Sequence, residues 1–493
     1  MASDPARYRF GPIEPAGAIG GLGWNQLACV AIGLVGLVVS LNVAPGTGGA
    51  LIGLAIAGSG LAAAFLRLAG RPPIAWAAIA GGYAARRARG RHRYASRTPL
   101  RGRGLACDED LVNLPESLAG LQILAARGSR GEIGIARDGS TWTAVLAVEG
   151  GAFALLELDD KERRLARWGG VLAGLARSGS PVSRIAWIDR TVTQPVDELG
   201  RYLRDGLALP SSHPGVRSYL ELLDEAGPAA RQHETFVALQ IDARRASGAI
   251  RRAGGREEGA VAVLARELSA LAAHLQRAEV VVRGALSPRL LARAIRLGFC
   301  PDDRPGLDRL GAGDPERSGT APANAGPMAA EEGWRAYRSD GALHCTYWIA
   351  EWPRIEVGAD FLLPFVLVGT TRRTIAVVME PLDPRRALRS AENARTNEIS
   401  DDDLRARMGF LATARRRRQQ QALVEREQEL AEGHSGVRFS GYVTVSTGSE
   451  DELEDATASI EQSAQTVGLE LRPLLGEQAM GFTYTLPLCR GLR

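Results

Sequence analysis

Two uncharged apolar runs near the amino terminus place the strongest constraint on what this chain can fold into. Residues 24–43 read WNQLACVAIGLVGLVVSLNV, about twenty residues without a charged side chain. As a helix that run is long enough to cross ~30 Å of hydrocarbon. A breaker-rich turn follows, Asn42-Val43-Ala44-Pro45-Gly46-Thr47-Gly48-Gly49. Residues 50–66 form a second uncharged run, ended by Arg67, whose long side chain can snorkel to the interface. The pattern predicts a two-helix transmembrane hairpin over 24–69, with a buried soluble hairpin as the alternative. Small residues four apart, Gly53/Ala57, Ser59/Ala63 and Gly60/Ala64, would let the two helices approach closely.

Orientation follows from the arginines. The turn at 42–49 carries no charge, whereas Arg7 and Arg9 precede the first run and ten arginines lie between 67 and 103. Both termini are therefore expected in the cytoplasm, with the hairpin in the inner membrane and 1–23 as a short cytoplasmic segment. Residues 70–103 read as an arginine-rich interfacial elbow. Its Pro72-Pro73 opens a short helix that places Trp76 at headgroup level. The expected membrane-interface residues are Trp24, Arg67, Trp76, Arg86, Arg87, Arg89, Arg91 and Arg93, with anionic lipid as their partner. Nucleic acid is the alternative partner for the same arginines, because they neutralise phosphates equally well.

The formal charge of +4 hides an unusual make-up: Lys161 is the single lysine, and the other basic residues are arginines. A P-loop needs Gly-x-x-x-x-Gly-Lys-Ser/Thr. Lys161 sits in Leu158-Asp159-Asp160-Lys161-Glu162-Arg163, which excludes a Walker-type ATPase and a kinase strand lysine. Lys161 reads as a solvated residue at a helix start.

The five cysteines, Cys29, Cys107, Cys300, Cys345 and Cys489, are scattered and never form Cys-x-x-Cys, which suits a reducing compartment. No two of the six histidines stand at metal-ligand spacing. His233-Glu234 begins like a zincin motif, but Val237 occupies the place of the second histidine. His344-Cys345 is adjacent in sequence, which says little about a catalytic pair. The glycines at 17–23 precede a hydrophobic helix and do not form a dinucleotide loop. No enzyme, cofactor or metal site is expected.

From about residue 104 the pattern is that of a soluble α+β protein, read as cytoplasmic α/β-plait lobes. No repeat of fixed period is visible. The first lobe, 104–300, opens with a hairpin around Asp138-Gly139. Residues 301–333, rich in Gly, Pro, Ala and charge, read as a flexible linker or insertion. The second lobe, 334–493, opens with an aromatic strand at 346–353. Ser400-Asp401-Asp402-Asp403 reads as the cap of a long helix reaching about residue 432. That helix would carry Arg415, Arg416, Arg417 and Arg418, which are either solvated or a docking site for an acidic partner. The end reads β-α-β: a strand at 439–446, a helix at 449–465 opened by the Ser449/Glu452 capping box, and a strand at 469–474.

Tyr8-Arg9-Phe10-Gly11-Pro12, the two-span hairpin and the arginine elbow together resemble the small PrgI-type membrane subunit of conjugation machinery. The lobes resemble the amino-terminal, non-motor part of TraC-type conjugation ATPases. The similar stretch is Gly441-Tyr442-Val443-Thr444-Val445, the glutamate-rich helix, Gly468-Leu469-Glu470-Leu471, Gln478 and Leu486-Pro487-Leu488. In that family such a unit stands just before the ATPase domain, whereas here the chain reaches Arg493 without one. The layout is also similar to an actinobacterial family of about this length. The resemblance implies a non-enzymatic membrane component of a conjugative, type IV-like secretion apparatus. It would act within a larger oligomer, beside other secretion subunits and a separately encoded motor ATPase. The alternative is a type VII-like secretion membrane subunit, similar to the EccE-type components that also pair two spans with a cytoplasmic domain.

Overall fold

The computed structural model describes residues 7, 8, 10, 24–66, 70–96, 114–128, 131–151, 153–193, 206, 210, 212–226, 231–311, 318–367, 371–407, 421, 424, 427, 428 and 435–492. They divide into two compact units: Met1–Arg9, Arg91–Asp383 and Gly436–Arg493 in one, Phe10–Gly90 and Pro384–Ser435 in the other.

The smaller unit is helical. Helices α1 (Trp24–Val43) and α2 (Thr47–Phe65) form the expected hairpin, and α3 (Pro73–Ala88) follows from the Pro72-Pro73 step. Proline at the first helical position suits α3, because the missing N–H would have no partner there.

The larger unit is a mixed helix-and-sheet body. Its strands are β1 (Arg93–Ala95), β2 (Leu121–Gly128), β3 (Gly131–Asp138), β4 (Thr141–Glu149), β5 (Val182–Thr193), β6 (Arg231–Asp242) and β7 (Val281–Ala285), then β8 (Ala329–Glu332), β9 (Tyr337–Ser339), β10 (Ala342–Glu351), β11 (Arg373–Pro381), β12 (Val437–Thr447) and β13 (Glu470–Pro473). All join one antiparallel sheet in the order β1-β8-β9-β10-β12-β11-β5-β6-β4-β3-β2, with β7 also beside β4 and β13 also beside β10. The helices are α4 (Leu158–Leu175), α5 (Pro214–Ala226), α6 (Ser247–Arg252), α7 (Arg256–Arg277), α8 (Pro288–Phe299), α9 (Arg304–Gly311) and α10 (Leu363–Leu367). Beyond these come α11 (Pro384–Arg407), whose residues fall in the smaller unit, and α12 (Glu450–Thr466) and α13 (Gln478–Phe482) in the larger.

The sheet contains the same pairing pattern twice. In the first half β2-β3-β4 is a meander, β6 lies between β4 and β5, and β7 returns to β4. In the second half β8-β9-β10 is a meander, β12 lies between β10 and β11, and β13 returns to β10. The central β5–β11 pair joins the halves. Both meanders end in a two-residue turn whose first residue has positive φ, Gly139 (φ 57°) and Asp340 (φ 50°). Glycine takes that conformation freely. Asp340 is held in it because Oδ1 accepts from the amides of Met328 and Ala329 at 2.8 and 2.9 Å.

Side-chain alternation supplies two cores, one per face of the first half. Ala144, Leu146 and Val148 face α4 and α7, where Val171, Leu175, Val263, Leu264, Leu268 and Leu271 are buried. Val145, Ile188 and Phe236 face the other way, toward Leu291, Ile295 and Phe299 of α8. That second core also receives Leu486, Leu488, Cys489 and Leu492 from the far end of the sequence. Gln240 Nε2 donates to the Leu488 carbonyl at 3.2 Å, and Arg490 pairs with Asp138 at 2.6 Å.

Three expectations change. Residues 301–333 hold helix α9 and strand β8, where a linker was expected; Arg293–Asp308 and Arg296–Asp303 ion pairs at 2.5 and 2.6 Å fasten this polar segment beside the buried Ala325 and Ala330. Ser400 lies inside α11, because nothing between Arg395 and Ser400 breaks the helix that Pro384 opens. Lys161, in the first turn of α4, is only 12 % exposed and pairs with Asp360 at 3.0 Å, where solvation was expected. Ser449 caps α12 as expected, its Oγ accepting from Glu452 N at 3.3 Å, but Glu452 Oε2 accepts from Gly448 N at 3.1 Å in place of the Ser449 N–H that a capping box uses.

Candidate membrane hairpin and polar clusters

The hairpin is built on glycine. A Cβ on Gly60 would come 2.8 Å from the Cys29 carbonyl oxygen and 3.0 Å from Gly33 Cα, so the backbones of α1 and α2 touch there. Gly53 and Gly36 meet Leu37 and Ile56 in the same seam. Gly53, Ala57, Gly60 and Ala64 all face inward, whereas Ser59 is exposed and returns its hydroxyl to the Ile56 carbonyl. Two of the three expected small-residue pairs thus lie at the seam. The few polar groups are satisfied within the hairpin: Gln26 Nε2 donates to the Ala64 carbonyl at 2.9 Å, and Ser40 Oγ to the Gly49 carbonyl at 2.8 Å. In contrast, Ile32, Val35, Val38, Leu51, Ile52 and Leu54 stand on the outside. Residues 26–43 and 47–65 are long and apolar enough to cross a membrane.

Trp24 begins α1, and its side chain and Arg67 lie outside the described residues, as do Arg415, Arg416, Arg417 and Arg418. Trp76 is half-buried on the first turns of α3, with the Arg71 guanidinium 5.8 Å over its ring. Arg86 and Arg87 occupy the last turn of α3, where cations suit the negative end of the helix dipole, and Arg89 follows at its C-cap. Arg91 pairs with Glu116 and Arg93 with Glu331, each at 3.0 Å, and Arg93 belongs to β1 of the sheet.

The histidines resolve into structural roles. His344 is fully buried on β10, with Nδ1 2.8 Å from Ser446 Oγ and Nε2 2.8 Å from Ser339 Oγ. Burial pushes its ring down to about 4, so it is neutral at pH 7. Cys345, next in sequence, points to the opposite face of the strand, and burial pushes its thiol up to about 11. His233 Nδ1 is 2.8 Å from Asp189 Oδ2, whose other oxygen accepts from Thr235 at 3.1 Å. That carboxylate raises the His233 pKa above its usual value, against an opposing effect of burial. Glu234, one step along β6, turns to Arg304 at 2.7 Å. Strand alternation therefore sends the two residues of the apparent zincin start to different partners. Among the described residues no cluster of three His, Cys, Asp or Glu side chains gathers.

The arginines buried beside β5 and β11, Arg190 and Arg373, escaped the sequence reading. Each lies in an ordinary strand pattern, and only the pairing of β5 with β11 brings them together.

Residues 229–349, from the start of β6 nearly to the end of β10, match a protein family described as the putative type VII ESX secretion system translocon component EccE. The match takes in β6 and β7 of the first half and β8, β9 and most of β10 of the second. No curated protein matches the chain, so this one stretch carries the family resemblance, and the segment is similar to EccE.

Proposed function

We propose that the chain is a non-enzymatic membrane subunit of a type VII-like secretion translocon, of the EccE type. The observation that carries this reading is the EccE match at 229–349 in a chain that also holds a glycine-packed hairpin of two apolar helices. No comparison supports the conjugation-type reading, with its PrgI-like and TraC-like parts, and the match favours the alternative raised from the sequence.

In this reading the hairpin anchors the protein in the inner membrane with both termini in the cytoplasm, and the two sheet halves act as α/β plaits. Arg86, Arg87 and Arg89 lie against anionic lipid. The larger unit docks other translocon subunits and a separately encoded motor ATPase.

The test is affinity purification of the full chain from membranes in mild detergent. Co-recovery of type VII translocon subunits supports the reading. Recovery of a relaxase or a TraC-type ATPase in their place overturns it, as does recovery of the chain alone.

A further inference from the structure

A cavity of about 180 Å³ opens in the larger unit beside the central strand pair. Four arginines line it: Arg190 of β5, Arg304 of α9, and Arg372 and Arg373 at the start of β11. Thr191, Thr374 and Ser446 bring hydroxyl groups, and Asp302 is the acid on the wall.

Arg190 is the unusual member, only 4 % exposed. Its Nη2 donates to the Ala294 carbonyl at 2.9 Å. Its Nε and Nη1 are buried without a hydrogen-bond partner among the described residues, and so is Thr191 Oγ1. Nη1 stands 3.9 Å from Glu234, beyond hydrogen-bond reach. The acids nearby are engaged elsewhere: Glu234 by Arg304, Asp308 by Arg293, Asp302 by Arg372, and Asp189 by His233 and Thr235. Around Arg190 itself the neighbouring charges are the cations Arg293 and Arg304 and the acid Glu234. Burial, reinforced by the neighbouring Arg293 and Arg304 and opposed by Glu234, holds the Arg190 pKa below the usual guanidinium range. A buried cation with idle N–H donors is costly unless something accepts from it.

We propose that this cavity is an oxyanion site that takes inorganic phosphate or the phosphoryl group of a phosphomonoester. A phosphoryl oxygen offers several lone pairs to a planar guanidinium fork, the pairing for which arginine is best suited. A cavity of this size leaves room for one tetrahedral anion.

The test is isothermal titration calorimetry on the full chain in neutral detergent, with inorganic phosphate and glycerol 3-phosphate titrated separately. Saturable binding is expected, weakened about tenfold or more in Arg190→Gln. Arg190-dependent binding of phosphate alone identifies the free anion, and binding of both ligands identifies a phosphomonoester site. Circular dichroism reports whether each variant is folded. Should Arg190→Gln fail to fold, Arg372→Ala at the partly exposed rim carries the same comparison. Absence of saturable binding of either ligand by the folded chain overturns the proposal, and so does binding undiminished in the folded variant.

Discussion

Ile188 on β5 and Ala376 on β11 pair directly across the centre of the sheet, both fully buried, and each occupies the other's position in the two halves. Ala147, six residues past the start of β4, pairs with Phe236, which pairs with Ile188. Trp348, six residues past the start of β10, pairs with Tyr442, which pairs with Ala376. Equal steps from equivalent turns lead to the same central pair, so a local two-fold axis passes through it. Both side chains are fully buried, so bulk added at either has nowhere to go. Ala376→Leu should cost on the order of 1–3 kcal/mol through overpacking, read as a shift in urea midpoint at unchanged slope.

The hairpin seam predicts a contrast between two glycines of α2. Gly60→Leu would drive a side chain into the Cys29 carbonyl, whereas Gly58 has open space around its Cβ. Gly60→Leu should therefore lower the thermal midpoint in detergent, and Gly58→Leu should leave it unchanged or raise it. Equal midpoints for the two variants would show that the helices do not touch at Gly60.

Acid should destabilise the larger unit through His344. Its folded pKa of about 4 lies below the usual 6.5, so between those values the unfolded chain binds a proton that the folded one refuses. Its contribution is fully present above pH 6.5 and is lost as pH falls toward 4, about 3 kcal/mol in all. His233 works in the opposite sense: with a raised pKa, its stabilisation is present below pH 6.5 and fades as pH rises through the folded value. Urea unfolding across pH 4–8 measures both. His344→Gln should lower stability at pH 7, through the hydroxyls of Ser339 and Ser446 left without a ring partner, and flatten the slope on the acid side.

Thiol labelling tests the burial directly. Burial pushes Cys300 and Cys345 up to about 11 and Cys489 to about 12, so none presents a thiolate at neutral pH. With Cys29 of the hairpin and Cys107, which lies outside the described residues, both replaced by serine, the remaining three should resist maleimide until denaturant is added. Rapid labelling of Cys489 in buffer would mean that residues 486–492 are not seated in the core.

Leu488 offers the matching stability measurement. It is 3 % exposed among side chains of the first sheet half. Leu488→Ala should cost about 2–5 kcal/mol, the usual range for a buried leucine, read by urea unfolding.

Much of this was legible along the chain. The hairpin, the Asp138-Gly139 turn, the Ser449 cap and the strands β3, β4, β10, β12 and β13 follow from local periodicity and turn chemistry, which depend on residues close in sequence. The duplication was not, because it resides in the order of pairing, and equivalent positions carry unlike residues: Ile188 against Ala376, Phe236 against Tyr442, Thr143 against His344. The fastening of 301–333 was missed because arginine–aspartate pairs carry no periodic apolar signal. The arginine-lined cavity was hidden for the same reason: its walls come from β5, α8, α9, β11 and β12, segments as far as 250 residues apart.

The seating of Leu486, Leu488 and Cys489 against β4, β5 and β6 has a consequence for the order of events during synthesis. More than 300 residues separate the end of β4 from that segment. At roughly 5–20 residues per second the ribosome needs on the order of 15–70 s to cover the distance. Until then the part of that face which α8 does not cover lacks Leu486, Leu488 and Cys489, while the apolar hairpin has long since been translated. The hairpin is therefore complete before the fold is, and a nascent chain stalled before residue 486 would display an unsealed apolar surface to the chaperones around it.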